Sequence, residues 1–379
     1  MGILDGCLVV ELSEVYQAPL AAQVLGDFGA DVIKVERPGE GEILRRMDSV
    51  AQERGGMSSY FAAVNRNKYS IVLDLKSDGG KDAMHSLLSR ADVFIHNLRP
   101  GVLERLGFSY DILVVRNPRL IYASATGFGE SGPMSHMGGQ DLVIQSVSGM
   151  ACASAGTDGA PRFANAPSVD FASGMILAQG IMAALLERER SGLGQKVSVS
   201  LLDTAMAIQS LEAASQLIYG YETRWFNRAL NFVAQTKNGW ITVLGFFRNN
   251  PLALLCKAFK LPDASLQPHL RTIADQISHR EEICTMFEPL FAEMTQEQAL
   301  ELLGGADVLC APILQLPEAL AHPQVKHNGM IIDVDVAGQG RLPVIGNPLK
   351  LSRTPAEVRR GPPQLDADAE EVRAKFLCA

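Results

Sequence analysis

Short β-rich runs alternate with stretches of helical periodicity over the first half of the chain. Cys7 to Leu12, Asp31 to Val35, Ser70 to Leu75, Val93 to His96 and Arg119 to Ala123 read as strands. Ala18 to Phe28 and Lys81 to Ser89 read as the helices between them. The alternation predicts a parallel sheet in an open α/β layer structure, a Rossmann-like large domain. A strongly helical stretch from about Phe171 to Arg190 is closed by Ser191-Gly192-Leu193-Gly194, and a strand at Lys196 to Ser200 and a helix from Leu202 follow.

Beyond an aromatic loop from Tyr219 to Phe232 the pattern changes, with a strand at Trp240 to Leu244 and mostly helices through Leu303. The tail returns to β signals at Gly329 to Val336, passes through Pro-Gly punctuation to Pro363, and ends in a charged helix from about Asp366 to Phe376. These shifts predict a large domain at residues 1–205 and 330–379, a smaller second domain at 224–323, and linkers at 206–223 and 324–329.

With 379 residues, nearly half of them hydrophobic, the chain can bury a large core. Its net charge of −8, with no dense cluster of Lys and Arg, argues against nucleic acid as a partner. Cys7, Cys152, Cys256, Cys284, Cys310 and Cys378 lie far apart without metal-ligand spacing, and predict reduced thiols in the cytoplasm and no metal. A basic leader followed by an apolar run is absent from the N-terminus, and the chain shows no apolar stretch read as a membrane span, so neither secretion nor membrane insertion is expected. No Gly-x-Gly-x-x-Gly follows the first strand, so no nicotinamide or flavin cofactor is expected.

The segment Pro167-Ser168-Val169-Asp170-Phe171-Ala172-Ser173-Gly174-Met175 places an acid at the mouth of the long helix. Ala172, Ser173 and Gly174 permit close backbone approach, and the helix dipole with its free amides would hold the Asp170 carboxylate ionised, ready to attack a thioester carbonyl. The competing view is that Asp170 is simply an N-cap, for which Asp is a preferred residue.

Several motifs together carry a resemblance: Leu4-Asp5-Gly6, the run from Leu25 to Gly39, Asn67-Lys68 ahead of Leu73-Asp74-Leu75-Lys76, Asn97-Leu98-Arg99-Pro100-Gly101, Arg105-Leu106-Gly107, Asn117 to Tyr122, Gly127-Phe128-Gly129, the Asp170 segment, and Ser191 to Val197 ahead of Asp203. In order and spacing they resemble the class III coenzyme A transferases across nearly the whole chain. The resemblance implies reversible transfer of coenzyme A from an acyl-CoA to a small carboxylic acid through mixed anhydrides and a thioester on Asp170. Gln17, Gln140 and Asp141 would position substrates, and the backbone around Tyr16 to Ala18 would stabilise oxyanion charge. It also implies coenzyme A contacts at Val15, Tyr16, Ala18, Arg37, Leu73, Lys76, Asn97, Leu98, Arg105 and Leu106, and an interlocked, ring-like homodimer.

The related α-methylacyl-CoA racemases pair the aspartate with a histidine in a Gly-His-Asp motif, where this chain has Gly139-Gln140-Asp141. Glutamine cannot take a proton from an α-carbon at neutral pH, so epimerisation is the alternative activity, with His136 the only nearby substitute base. A third possibility is an inactive acyl-CoA-binding homologue. No run of consecutive glycines stands at the domain transition, which puts oxalate as acceptor in doubt. Phe246, Phe247 and Arg248 are candidates to shape an acceptor pocket, and Arg162, Arg224, Arg228 and Arg248 are candidate carboxylate clamps.

Overall fold

Strand β1 (Leu8–Leu12) lies at the centre of a six-stranded parallel sheet with β2 (Asp31–Glu36), β3 (Lys68–Val72), β4 (Val93–His96), β5 (Ile121–Thr126) and β6 (Lys196–Ser200), in the order β3-β2-β1-β4-β5-β6. The computed structural model describes residues 2–154, 159–245 and 247–377; Cys378 and Phe246 lie outside them. Val9 and Val10 are both fully buried although they point to opposite faces, as expected of a parallel strand covered on both sides. Val9, Ile95, Ala123 and Ala125 pack under one helical layer with Leu25, Leu177 and Ile181. Val10, Phe94 and Tyr122 pack under the other with Met84, Leu87 and Phe108.

Several strand boundaries differ from the sequence expectation, those of β3 and β5 the most. β3 begins at Lys68, because its buried ammonium reaches Glu11 at 2.8 Å and a charge that would otherwise mark a strand end becomes part of the interior. β5 begins at Ile121, because the amide of Leu120 closes a turn onto the Asn117 carbonyl at 3.0 Å. The terminal helix is shorter than expected: Asp366 has φ +59, and regular helix starts at Ala369.

One compact unit comprises residues 1–209 and 327–379, and the other residues 210–326. The first also holds a hairpin of β10 (Ile331–Val336) and β11 (Gly340–Ile345). The second is built on an antiparallel sheet of β7 (Asn231–Thr236), β8 (Gly239–Leu244) and β9 (Leu309–Ile313). Its helices Pro251–Ala258, Arg280–Ala292 and Gln296–Gly305 bury Leu252, Phe287, Phe291 and Leu303 against Phe232, Ile241 and Val243. β7 falls partly where the sequence reads as an aromatic loop: Phe232 and Ala234 face inward while Val233 is half exposed, so the strand shows only a short alternating stretch.

The first helix (Gln17–Asp27) follows β1, and the long helix (Ser168–Ser191) joins β5 to β6. By length and composition alone the long helix is apolar enough to cross a membrane, although Asp170 and Glu187 bound its uncharged run and a buried core helix meets the same description. In the folded unit its Ser173, Leu177, Ala178 and Ile181 are buried, and it packs on the first helix and on β5 and β6. Gly174 allows that contact, since a Cβ there would stand 2.5 Å from the Gln17 carbonyl oxygen. Gly174→Ala is therefore expected to lower stability by roughly 1–3 kcal/mol through overpacking. A thermal melt checks it, and an unchanged midpoint would mean that the helices separate without cost.

Candidate active site

In this strand order the chain turns away from β1 in one direction and from β4 in the other, so the loops after these two strands leave a crevice between them at the carboxyl edge of the sheet. Asn97, one residue beyond β4, spans the crevice. Its side chain accepts from the Glu14 amide at 3.0 Å and donates to the Glu14 carbonyl at 2.7 Å, clamping the β1 loop at both backbone groups of one residue. Above the clamp opens a cavity of about 720 Å³ lined by Val15, Tyr16, Gln17, Asn97, Leu98, Gln140, Asp141 and Asp170 among others.

Asp170 reaches this edge because a helix linking two parallel strands runs antiparallel to them, which brings its N-terminus to their carboxyl ends. Asp170 is not the cap of that helix. Pro167 occupies the N-cap without a side-chain bond, and Asp170 is the third helical residue. The free amides are taken instead by Asp141, whose Oδ2 accepts from Val169 at 2.8 Å and from Asp170 at 3.0 Å. Gln145 donates its amide to the other Asp141 oxygen at 2.5 Å.

This division of labour reverses the expected electrostatics. Asp141 receives the helix's donors and the Asp170 carboxylate accepts no hydrogen bond from a described residue. Burial, and then the charge of Asp141, push Asp170 up to about 7. The carboxylate is a desolvated base facing a cavity, not an anion soothed by a helix end.

Opposite it begins the first helix. Tyr16 stands at its N-cap without a side-chain bond, and Pro19 brings no N–H, so the amides of Gln17 and Ala18 have no intrahelical acceptor. The Gln17 side chain is 5 % exposed and donates to the Ser173 hydroxyl at 2.5 Å, tying this helix to the turn that carries Asp170. The Tyr16 hydroxyl is held above its ordinary pKa by burial and then by Asp170. Val15, just before it, has left-handed backbone at φ +69, which a β-branched residue seldom adopts. Its amide donates to Glu42 Oε1 at 2.8 Å.

The structure thus places Asp170, Gln17, Gln140, Asp141, Val15, Tyr16, Asn97 and Leu98 around one cavity. Ala18 is fully buried in the core, so only its backbone can serve the site. Arg37, Lys76 and Arg105 are exposed and follow the ends of β2, β3 and β4 along the same edge; Arg37 donates to the Gly41 carbonyl at 2.8 Å. Leu73 and Leu106 are partly buried against the core beneath them. His136 is exposed and does not line the cavity. Arg162 belongs to the first unit and Arg224, Arg228, Phe247 and Arg248 to the second, where Arg248 pairs with Asp307 at 2.8 Å; Phe246 lies outside the described residues. Ser173, Gln145 and Glu42 were missed as site residues. Ser173 and Glu42 bond Gln17 and Val15 across 156 and 27 positions, a signal that exists only in three dimensions, whereas Gln145 lies four residues after Asp141 in the same short helix.

Such a site, a desolvated carboxylate facing backbone donors at the switch point of a doubly wound sheet, suits covalent acyl chemistry. Residues 4–369 match CoA-transferase family III. The chain is 32 % identical to succinyl-CoA:glutarate CoA-transferase of Mus musculus over 99 % of this chain and 86 % of that one. It is also 32 % identical to acetyl-CoA:oxalate CoA-transferase of Acetobacter aceti, over 99 % of this chain and 96 % of that one. A CAIB/BAIF family protein from Brucella suis superposes with TM-score 0.88 at 29 % identity, each chain covered to 99 %. The protein belongs to CoA-transferase family III and is an enzyme of that class.

The raised Asp170 pKa has a stability counterpart. Between the unfolded value near 3.8 and the folded value of about 7, the folded state binds more protons, so this group's contribution falls as pH rises. Asp170→Asn removes the buried charge. The variant is expected to melt higher than wild type at pH 8, by a margin of roughly 1–3 kcal/mol, and to converge with it near pH 4. A margin independent of pH would show that Asp170 titrates normally.

Proposed function

We propose that the enzyme moves coenzyme A between carboxylic acids with Asp170 as covalent nucleophile. The observation that supports this most directly is the Asp170 carboxylate, without a hydrogen bond from a described residue and pushed up to about 7, facing the cavity beside the open amide end of the first helix. Its Oδ attacks the donor thioester carbonyl, and the amides of Gln17 and Ala18 take up the developing oxyanion charge. Collapse expels coenzyme A thiolate and leaves a mixed anhydride between Asp170 and the donor acyl group. The thiolate attacks the Asp170 carbonyl, releasing the donor carboxylate and leaving a thioester on Asp170. The acceptor carboxylate attacks that thioester to give a second anhydride, and thiolate attack on the acceptor's carbonyl yields the new acyl-CoA and restores Asp170.

Coenzyme A would lie along the carboxyl edge, with phosphates near Arg37, Lys76 and Arg105 and the adenine between Leu73 and Leu98; exposed cations that follow three successive strand ends suit an extended polyanion. The acids exchanged are small carboxylates, the class named for the relatives that act on glutarate and oxalate. A homodimer suits helix Ser210–Tyr219, which buries no residue and leaves Leu217, Ile218 and Tyr219 strongly exposed. Epimerisation finds less support, because among the described residues no histidine lines the cavity around Asp170.

Incubation with succinyl-CoA and a panel of carboxylates, followed by hydroxylamine trapping and mass analysis, tests the mechanism. The expected result is an adduct at Asp170, new acyl-CoA products, and loss of both in Asp170→Ala. Turnover without an adduct, or α-proton exchange on a 2-methylacyl-CoA, would overturn it. The ionised carboxylate is the reactive form, so the rate should rise with pH through about 7. In Asp141→Asn, where a neighbouring negative charge is gone, the rise should move to lower pH; an unmoved profile would exclude Asp141 as the cause.

A further inference from the structure

The loop that carries Val15, Tyr16 and Gln17 rests on charges that the transfer reaction does not consume. Glu42, 2 % exposed, accepts from the Val15 amide with one carboxylate oxygen at 2.8 Å and meets Lys34 Nζ with the other at 2.5 Å. Lys34 also reaches Glu11 at 2.9 Å and the Ser13 carbonyl at 2.9 Å. Lys68 reaches the second Glu11 oxygen at 2.8 Å and the Pro19 carbonyl, in the first turn of the first helix, at 2.9 Å. Two acids and two ammonium groups, all buried, thus hold the loop from below at Ser13, Val15 and Pro19.

Among the described residues, Val15 is the only β-branched residue with left-handed backbone. Such a conformation persists only where the surroundings over-determine it, and it re-aims the residues that follow. Those residues are Tyr16 and Gln17, where the open amide end facing Asp170 begins. We propose that Glu42 is a positioning residue: by holding the Val15 amide, with Lys34 bracing it, Glu42 fixes the left-handed turn that aims the Gln17 and Ala18 amides at the carbonyl attacked by Asp170. The inference rests on the transferase reading for its catalytic consequence. Its structural part, that Glu42 holds this loop, stands independently.

Two substitutions separate positioning from mere support. Glu42→Ala removes the acceptor for Val15, whereas Glu42→Gln keeps an amide oxygen for it and weakens only the charge pairing with Lys34. Amide hydrogen exchange read on peptides spanning Glu14 to Leu20 should speed up in Glu42→Ala and stay close to wild type in Glu42→Gln, although both variants melt lower. In rapid-mix experiments with succinyl-CoA, Asp170 acylation should slow by about 30-fold or more in Glu42→Ala, in keeping with the large cost of small misplacements, and by less than about 5-fold in Glu42→Gln, with affinity for free coenzyme A little changed. Val15→Gly in the Glu42→Ala background should recover much of the rate, because glycine adopts left-handed backbone without strain. Equal losses in the two variants, tracking their melting points, or no recovery with Val15→Gly, would overturn the positioning role. If wild type acylates with no donor, the transferase reading fails, and the exchange measurement still decides whether Glu42 holds the loop.

Discussion

The site depends on one close approach, the passage of the Gln17 carbonyl over Gly174 with no side chain between. Through it the amino ends of two helices share one cavity wall, one carrying the acid and the other open backbone donors. Two positive helix ends are not natural neighbours, and the contact is made tolerable by what faces it. Asp141 neutralises the end of the long helix by accepting two of its amides. The end of the first helix is left open, and a developing oxyanion would complete it.

This arrangement assigns opposite fates to two aspartates in the same wall. Asp141 is buried, receives amides from three residues and stays an acceptor. Asp170 is denied those partners and carries the cost of desolvation beside a like charge. The protein gives up stability to keep a carboxylate in that state, the usual trade at a preorganised site. The loop geometry follows the same economy, since strained backbone at Val15 is maintained by buried charges that take no part in bond making.

Much of the wound sheet was legible because its strands are brief apolar runs and its helices carry clear periodicity. Lys68 was misplaced because a charge inside a fully covered strand is rare, and only its partner on β1 makes it tolerable. β7 and β9 escaped notice because half-exposed strands of this length leave a weak alternation, and Pro312 within β9 speaks against a strand. In the site, the segment around Asp170 read locally either as a nucleophile or as a helix cap, and the ordered set of motifs along the chain favoured the nucleophile. That Asp141 supplies the cap could not be read, because the two residues are 29 positions apart and the long helix offers no capping side chain of its own. The bond from Gln17 to Ser173 spans 156 positions and leaves no local trace at all.

The buried charges also bear on how the chain finds its sheet. Glu11 and Lys34 are direct partners in the pairing of β1 with β2, in a sheet whose strands are otherwise largely apolar and interchangeable in appearance. Sliding β2 by one residue would turn Lys34 toward the opposite face and leave two ions stranded in hydrocarbon, a penalty that apolar side chains alone would not impose. The quartet therefore acts as a key during folding: it admits one alignment of the first three strands and rejects near misses that bury almost as much apolar surface.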